Sequence, residues 1–254
     1  MTAAIVSLGA VLGACLGSFA NVLIHRLPRD QQVVAGRSCC PHCRVQIAWY
    51  DNLPVASWLI LRGRCRACRG PIAWRYPAVE LAGAALAAGC LWWYGPTAAA
   101  GHAYVLLLLL LVIAVIDWEH MVIPHTLTVS GLVAGLALAP FTGPGLAASL
   151  LGIVVGGGVV LALSEGYRLL RGQPGMGGGD VMLMAMVGAF LGPWPAAAVL
   201  GAGALLGTLY VLVRGAGRVQ GAAKLPFGTF LAAGGAVVLV WGTSVWTWYV
   251  GLMS

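Results

Sequence analysis

Charge is what this sequence has least of. Charged side chains make up 8% of its 254 residues, and hydrophobic ones 60%. A soluble domain of this size needs far more polar surface, so the scarcity excludes one and implies a polytopic membrane protein. The first apolar run, Met1 to Ile24, lacks the basic lead-in and the A-x-A site of a cleaved signal peptide. It is expected to be a retained first helix that starts outside the cytoplasm. The formal net charge of +7 raises nucleic acid as a partner. The only sizeable polar block, however, lacks the interleaved aromatics on which strands stack, so no nucleic acid is expected.

The charge that is present is sorted by place. Basic residues fall at Arg26 to Arg75, at Arg168 and Arg171, and at Arg214, Arg218 and Lys224. If the apolar runs are spans, all of these lie in loops on one side, and the positive-inside rule makes that side cytoplasmic. The predicted fold is an all-α polytopic membrane protein of about eight transmembrane helices. Their expected ranges are about 1–24, 77–94, 98–116, 124–140, 146–164, 181–191, 196–213 and 228–250, with both termini outside. Between 165 and 179 the pattern predicts a second large cytoplasmic loop. Three divisions follow: a first helix over 1–24, a cytoplasmic block over 25–76, and a seven-helix membrane domain over 77–254.

The cytoplasmic block is too small to fold readily on a hydrophobic core alone, so a metal staple is expected. Cys40-Pro41-His42-Cys43 and Cys65-Arg66-Ala67-Cys68 are two CxxC pairs separated by twenty-one residues. In a reducing compartment such pairs hold zinc more often than they form disulfides. Four thiolates leave no open position for water, so the role of Zn2+ would be structural, in a zinc-ribbon-like domain. Cys39 and His42 are spare ligands nearby, while Cys15 and Cys90 are expected to pack in the core.

Two acids stand where acids are costly. Asp117 closes the apolar run Val105 to Ile116, and Asp180 ends the glycine-rich stretch Gly175-Met176-Gly177-Gly178-Gly179. The topology, drawn from the arginines, puts both at cytoplasmic helix ends. Asp117 also reads as a solvated helix-end acid, and Asp180 as an ordinary helix cap. Their matched depth favours a catalytic pair that shares one proton and activates water. Gly177, Gly178 and Gly179 would let an extended peptide lie close to the backbone beside Asp180. The competing reading is a transporter that uses Asp117 and Asp180 as an ion or proton relay. Glu80, early in the second helix, invites an ion pair with a first-loop arginine, and Asn21 lies near the end of the first helix.

These residues together resemble the type IV prepilin peptidases, the bifunctional leader peptidases and N-methyltransferases of type IV pilus and type II secretion systems. The resemblance rests on Gly17 to Pro28, the two CxxC pairs, and Arg75 to Glu80. It continues through Asp117 with Ile123-Pro124, Gly175 to Asp180, and Pro226-Phe227-Gly228. It implies a GxGD intramembrane aspartyl protease of the bacterial inner membrane, with Asp117 and Asp180 as its catalytic pair. The implied substrates are prepilins or pseudopilins, cut after a short basic leader at the cytoplasmic face. S-adenosylmethionine would then supply a methyl group to the new amino terminus, and membrane lipid would surround the chain. No Rossmann-type turn locates that donor, so Asn21 and Glu80 are only its candidate contacts. The chain departs from the family pattern at Met182, where lysine is common, and at His125, where an acid is.

Overall fold

The computed structural model describes residues 2–34, 36–172, 175–214 and 225–253. Arg218 and Lys224 of the expected third loop lie outside the described residues. Among the described residues there are nine α-helices: α1 (Thr2–Arg26), α2 (Ala56–Ile60), α3 (Arg75–Tyr94), α4 (Ala98–His120), α5 (His125–Leu138), α6 (Gly145–Arg171), α7 (Gly178–Leu191), α8 (Pro193–Arg214) and α9 (Phe227–Met253). All eight apolar helices read from the sequence are present, with α2 as a short addition. Among the described residues, four stretches are long and apolar enough to cross a membrane, namely Ala3–Arg29, Ala98–His120, Gly145–Arg171 and Pro193–Arg214. The helices over His125–Phe141 and Gly178–Leu191 are apolar but shorter, and α9 is apolar over Phe227–Gly242, whose side chains are described. The chain divides into two compact units, Met1–Tyr104 and Val105–Ser254.

In the first unit, α1 lies against α3 along a seam of small residues. Gly9, Gly13 and Gly17 recur every fourth residue, so they share one face of α1. A Cβ on Gly13 would come within 2.4 Å of the Gly83 carbonyl oxygen, and one on Gly17 within 2.8 Å of the Glu80 Cα. Backbones this close gain dispersion contacts that larger side chains forbid, which is how helices associate where hydrophobic burial no longer drives them. The Asn21 amide donates to the Tyr76 carbonyl at 3.0 Å and fixes the polar end of the seam.

The block between α1 and α3 contains a duplicated hairpin that the spacing alone did not reveal. Residues 38–47 and 63–72 follow the same pattern. Ile47 N–H donates to Ser38 O and Ile72 N–H to Gly63 O, while Cys40 N–H meets Val45 O and Cys65 N–H meets Gly70 O. In each copy the residue after the second cysteine closes the turn on the first, Arg44 on Cys40 and Arg69 on Cys65. Both arginines take positive φ, 59° and 60°, a region that costs an L side chain about 1–2 kcal/mol. The two turns are thus bent for the cysteines at the expense of local strain.

In the second unit, α7 is the central helix. It is apolar on every side, and its residues from Leu183 to Phe190 are all buried, as a helix without a polar face must be. Helices α5, α6, α8 and α9 pack around it. Against α6 the approach is again through glycine: a Cβ on Gly188 would fall within 2.0 Å of the Gly152 carbonyl oxygen. Gly203 of α8 packs in the same manner on Leu231 of α9.

Two boundaries differ from the sequence reading. Helix α6 runs to Arg171, so the expected loop over 165–179 shrinks to the few residues before Gly178. Glu165 accepts from Arg168 Nε at 2.8 Å, an i,i+3 pair that supports another turn, and Gly172 in the left-handed region then stops it. Helix α4 likewise continues to His120, and Asp117 sits inside its last turn. Nothing breaks it before Met121, whose φ of 56° lets its N–H close on the Asp117 carbonyl at 2.9 Å. A third correction concerns Cys15, which is exposed on α1; only Cys90 is buried as expected.

Candidate active site

Asp117 is buried at the end of α4, with 5% of its surface exposed. Its Oδ2 accepts from the Thr229 main-chain N–H at 2.8 Å and from the Thr229 hydroxyl at 3.2 Å. Among the described hydrogen bonds, neither His120 nor an arginine donates to it. His120 instead lies 3.9 Å from Glu119.

Asp180 belongs to the first turn of α7. Its N–H donates to the Gly177 carbonyl at 3.1 Å, and its Oδ2 accepts the Gly177 N–H at 3.2 Å. The cap anticipated for this residue therefore exists, although Asp180 occupies the third helical position and not the cap itself. The preceding glycine-rich stretch is tied to α6. Ser164 is buried; its hydroxyl donates to Met176 O at 3.1 Å and accepts from Met176 N–H at 3.4 Å.

One side chain joins the two acids' surroundings. Ile123, in the link between α4 and α5, lies where a Cβ on Gly179 would come within 2.9 Å and one on Gly228 within 2.6 Å. A Cβ on Gly228 would also reach 3.0 Å from Asp117 Oδ2. The starts of α7 and α9 thus close on Ile123 because each carries glycine there. Met182 follows Asp180 on α7, half-buried, and His125 opens α5, exposed. Sequence reasoning did not identify Ile123 or Thr229. Ile123 stands out in the sequence only within the Ile-Pro pair, and a threonine after Pro-Phe-Gly carries no mark of a partner so distant in sequence.

The duplicated hairpins of the first unit bring the Sγ atoms of Cys40, Cys43, Cys65 and Cys68 within 4.8 Å of one another. Four soft donors at that separation suit a tetrahedral metal ion. The N–H groups of Cys68 and Ala67 draw the Cys65 thiol down to about 7, while Cys43, despite the Val45 N–H, is pushed up to about 11 by burial and crowding by the other thiols. His42 is not part of this set and rests instead over Gly70 of the other hairpin; Cys39 is exposed outside it. Arg66 forks onto Asp51, with Nε 2.8 Å from Oδ2 and Nη2 2.6 Å from Oδ1, linking the second hairpin to the turn before α2. These bonds hold the Asp51 carboxyl below the usual carboxylate range.

Asn21 and Glu80 take structural positions in the same unit. Glu80 Oε2 accepts the Val55 N–H at 2.7 Å. Val55 has a φ of 60°, which a β-branched residue adopts only when held there, and the carboxylate does the holding. Asn21 donates to Tyr76, as described, and its buried Oδ1 lacks a hydrogen-bond partner.

Known proteins match this chain throughout. The profile of the bacterial Peptidase A24 N-terminal domain matches residues 11–94, and that of the type IV leader peptidase family matches residues 104–212. A protein of Burkholderia pseudomallei (strain 1026b) is 40% identical over 92% of this chain and 84% of its own length. One from Stutzerimonas stutzeri is 37% identical over 94% of this chain and 92% of its own. One from Myxococcus xanthus (strain DK1622) is 43% identical over 81% of this chain and 63% of its own. Each of these relatives bears the name prepilin leader peptidase/N-methyltransferase. No solved structure matches. With relatives this similar over most of both chains, the chain belongs to the type IV leader peptidase family.

Proposed function

We propose that this protein is a membrane-embedded aspartyl endopeptidase that removes the short basic leader of type IV prepilins or pseudopilins at the cytoplasmic face. It then N-methylates the new amino terminus using S-adenosylmethionine. The observation that carries this reading is the meeting of two helix ends, each bearing an acid, around Ile123 and the glycines at 179 and 228. The relatives' names support the substrate class and the second activity. In functional terms the protein comprises a first span, a cytoplasmic metal domain over 25–76, and a membrane peptidase domain over 77–254 in the bacterial inner membrane.

Peptide hydrolysis here needs one acid ionised and the other protonated. The ionised carboxylate takes a proton from water as the water oxygen bonds to the scissile carbonyl carbon. The protonated acid donates to the carbonyl oxygen, where negative charge develops. The tetrahedral adduct then collapses: the carbon–nitrogen bond breaks as the departing amine takes the proton drawn from water, and one hydroxyl of the adduct returns its proton to the other acid. Two like charges close together disfavour double ionisation, which leaves the pair with a single shared proton. The glycine run at 177–179 offers main chain against which the leader can lie extended.

Cys40, Cys43, Cys65 and Cys68 would hold zinc, whose part is to fasten the two hairpins of a block otherwise poor in core. S-adenosylmethionine would supply an electrophilic methyl group. In this arrangement Asn21 and Glu80 serve the junction of α1, α2 and α3, so no step of methyl transfer is derived through them. The test is to incubate the purified full-length protein with a prepilin and a donor labelled in its methyl group. Leader release followed by label on the mature pilin is expected. Intact prepilin under conditions where the protein is folded and metal-loaded would overturn the reading.

A further inference from the structure

We propose that Thr229 is the positioning residue of Asp117: its N–H bonds Oδ2 and its hydroxyl shares a proton with that oxygen, which turns Oδ1 toward the attacking water. The inference rests on the catalytic reading of Asp117. Thr229 lies in the first turn of α9, where main-chain N–H groups lack a full intrahelical partner. Its N–H reaches Pro226 O at 3.2 Å and the carboxylate at the shorter distance of 2.8 Å. A helix start that directs an N–H at an anion is an electrostatically favourable arrangement.

The hydroxyl lies against the same oxygen. Its single proton is shared between Asp117 Oδ2 at 3.2 Å and the Ala114 carbonyl, three residues back on α4, at 3.0 Å. Both acceptors therefore belong to the same turn of α4, and the hydroxyl has one face to serve. Gly228 adds an independent sign that α9 begins against this oxygen, because any side chain at that position would press on Oδ2. Asp180 has no equivalent among the described hydrogen bonds. Its Oδ2 takes one N–H from Gly177 of its own helix start, so it is capped locally and not clamped from another helix. A carboxylate with one oxygen held by a short N–H bond and flanked by a shared hydroxyl proton has its plane fixed, which general-base chemistry requires.

The test uses Thr229→Val, which removes the hydroxyl and keeps the N–H, with Thr229→Ser as the conservative variant, both in the full-length protein with a prepilin. Thr229→Val is expected to lower kcat about tenfold to a hundredfold while KM stays within about twofold, and Thr229→Ser to recover most of the loss. Thr229→Ala, which removes the hydroxyl without adding bulk, should match the valine variant and guards against misfolding caused by the larger side chain. Unchanged kcat in both hydroxyl-free variants, or a loss confined to KM, overturns the proposal. Asp117→Asn separates the two levels. If it retains turnover, the catalytic reading of Asp117 fails. If it is inactive while Thr229→Val and Thr229→Ala are both fully active, only the role of Thr229 fails.

Discussion

The tetracysteine block and the carboxylate site are assembled over very different lengths of chain. Each cysteine hairpin closes on itself, with Arg44 bonding to Cys40 and Arg69 to Cys65 four residues away. Asp117, by contrast, meets Thr229 across 112 positions of sequence, and Ile123 comes from a third segment. The first region carries its geometry in turns that form locally, at the cost of two arginines with positive φ. The second has no local geometry of its own and exists only when α4, α7 and α9 are packed. Damage to the first should therefore remain confined, whereas damage to the scaffold of the second should spread.

The largest effect that would sharpen this contrast is removal of one hairpin's thiols. Cys40→Ser with Cys43→Ser should lower metal content from about one zinc per chain to none. It should also open residues 25–76 to protease while the helices from α4 onward resist; metal analysis and limited proteolysis read both. Next comes Gly188→Val at the α6–α7 contact, where a Cβ already falls within 2.0 Å of the Gly152 carbonyl. We expect a loss of about 3 kcal/mol or more, seen as a lower melting temperature, with activity falling although neither acid is touched. A smaller effect is expected at the wedge. Gly228→Ala should reduce leader cleavage because its methyl meets Ile123 and Asp117 Oδ2. Adding Ile123→Ala should return part of that activity, and a double-mutant cycle measures the coupling.

The smallest effect lies at Asp51 and Arg66. A carboxyl held below its unfolded range stabilises the fold above about pH 4, and the contribution disappears as pH falls through the lowered value. Arg66 is largely exposed, so Arg66→Ala should lower the denaturant midpoint only slightly at neutral pH and not at all in strong acid. Denaturant midpoints at several pH values read the difference.

Legibility in the sequence follows the same division between local and distant. The eight apolar helices were readable because hydropathy is a local property, and the thiol cluster because four soft ligands at CxxC spacing have few other uses. The duplicated hairpins could have been read too, since Ser38 to Ile47 and Gly63 to Ile72 share their register, but small repeats separated by unlike residues are easily passed over. Helix ends were missed where a stop depended on backbone state: Met121 is no usual terminator, and the Glu165–Arg168 pair carries α6 beyond the apolar run. The glycine seams of α1 and α6 were written in their four-residue spacing, yet which helix each would meet was not. Thr229 and Ile123 were hidden for the reason that makes them useful, because only the packed fold gives either one an aspartate or a glycine to touch.

The most direct test of the account is leader cleavage by purified Asp117→Asn and Asp180→Asn, each checked for metal content and helical signal. Both should remain folded and metal-loaded while cleavage of a prepilin falls by about a thousandfold or more. Wild-type turnover in either variant would contradict it.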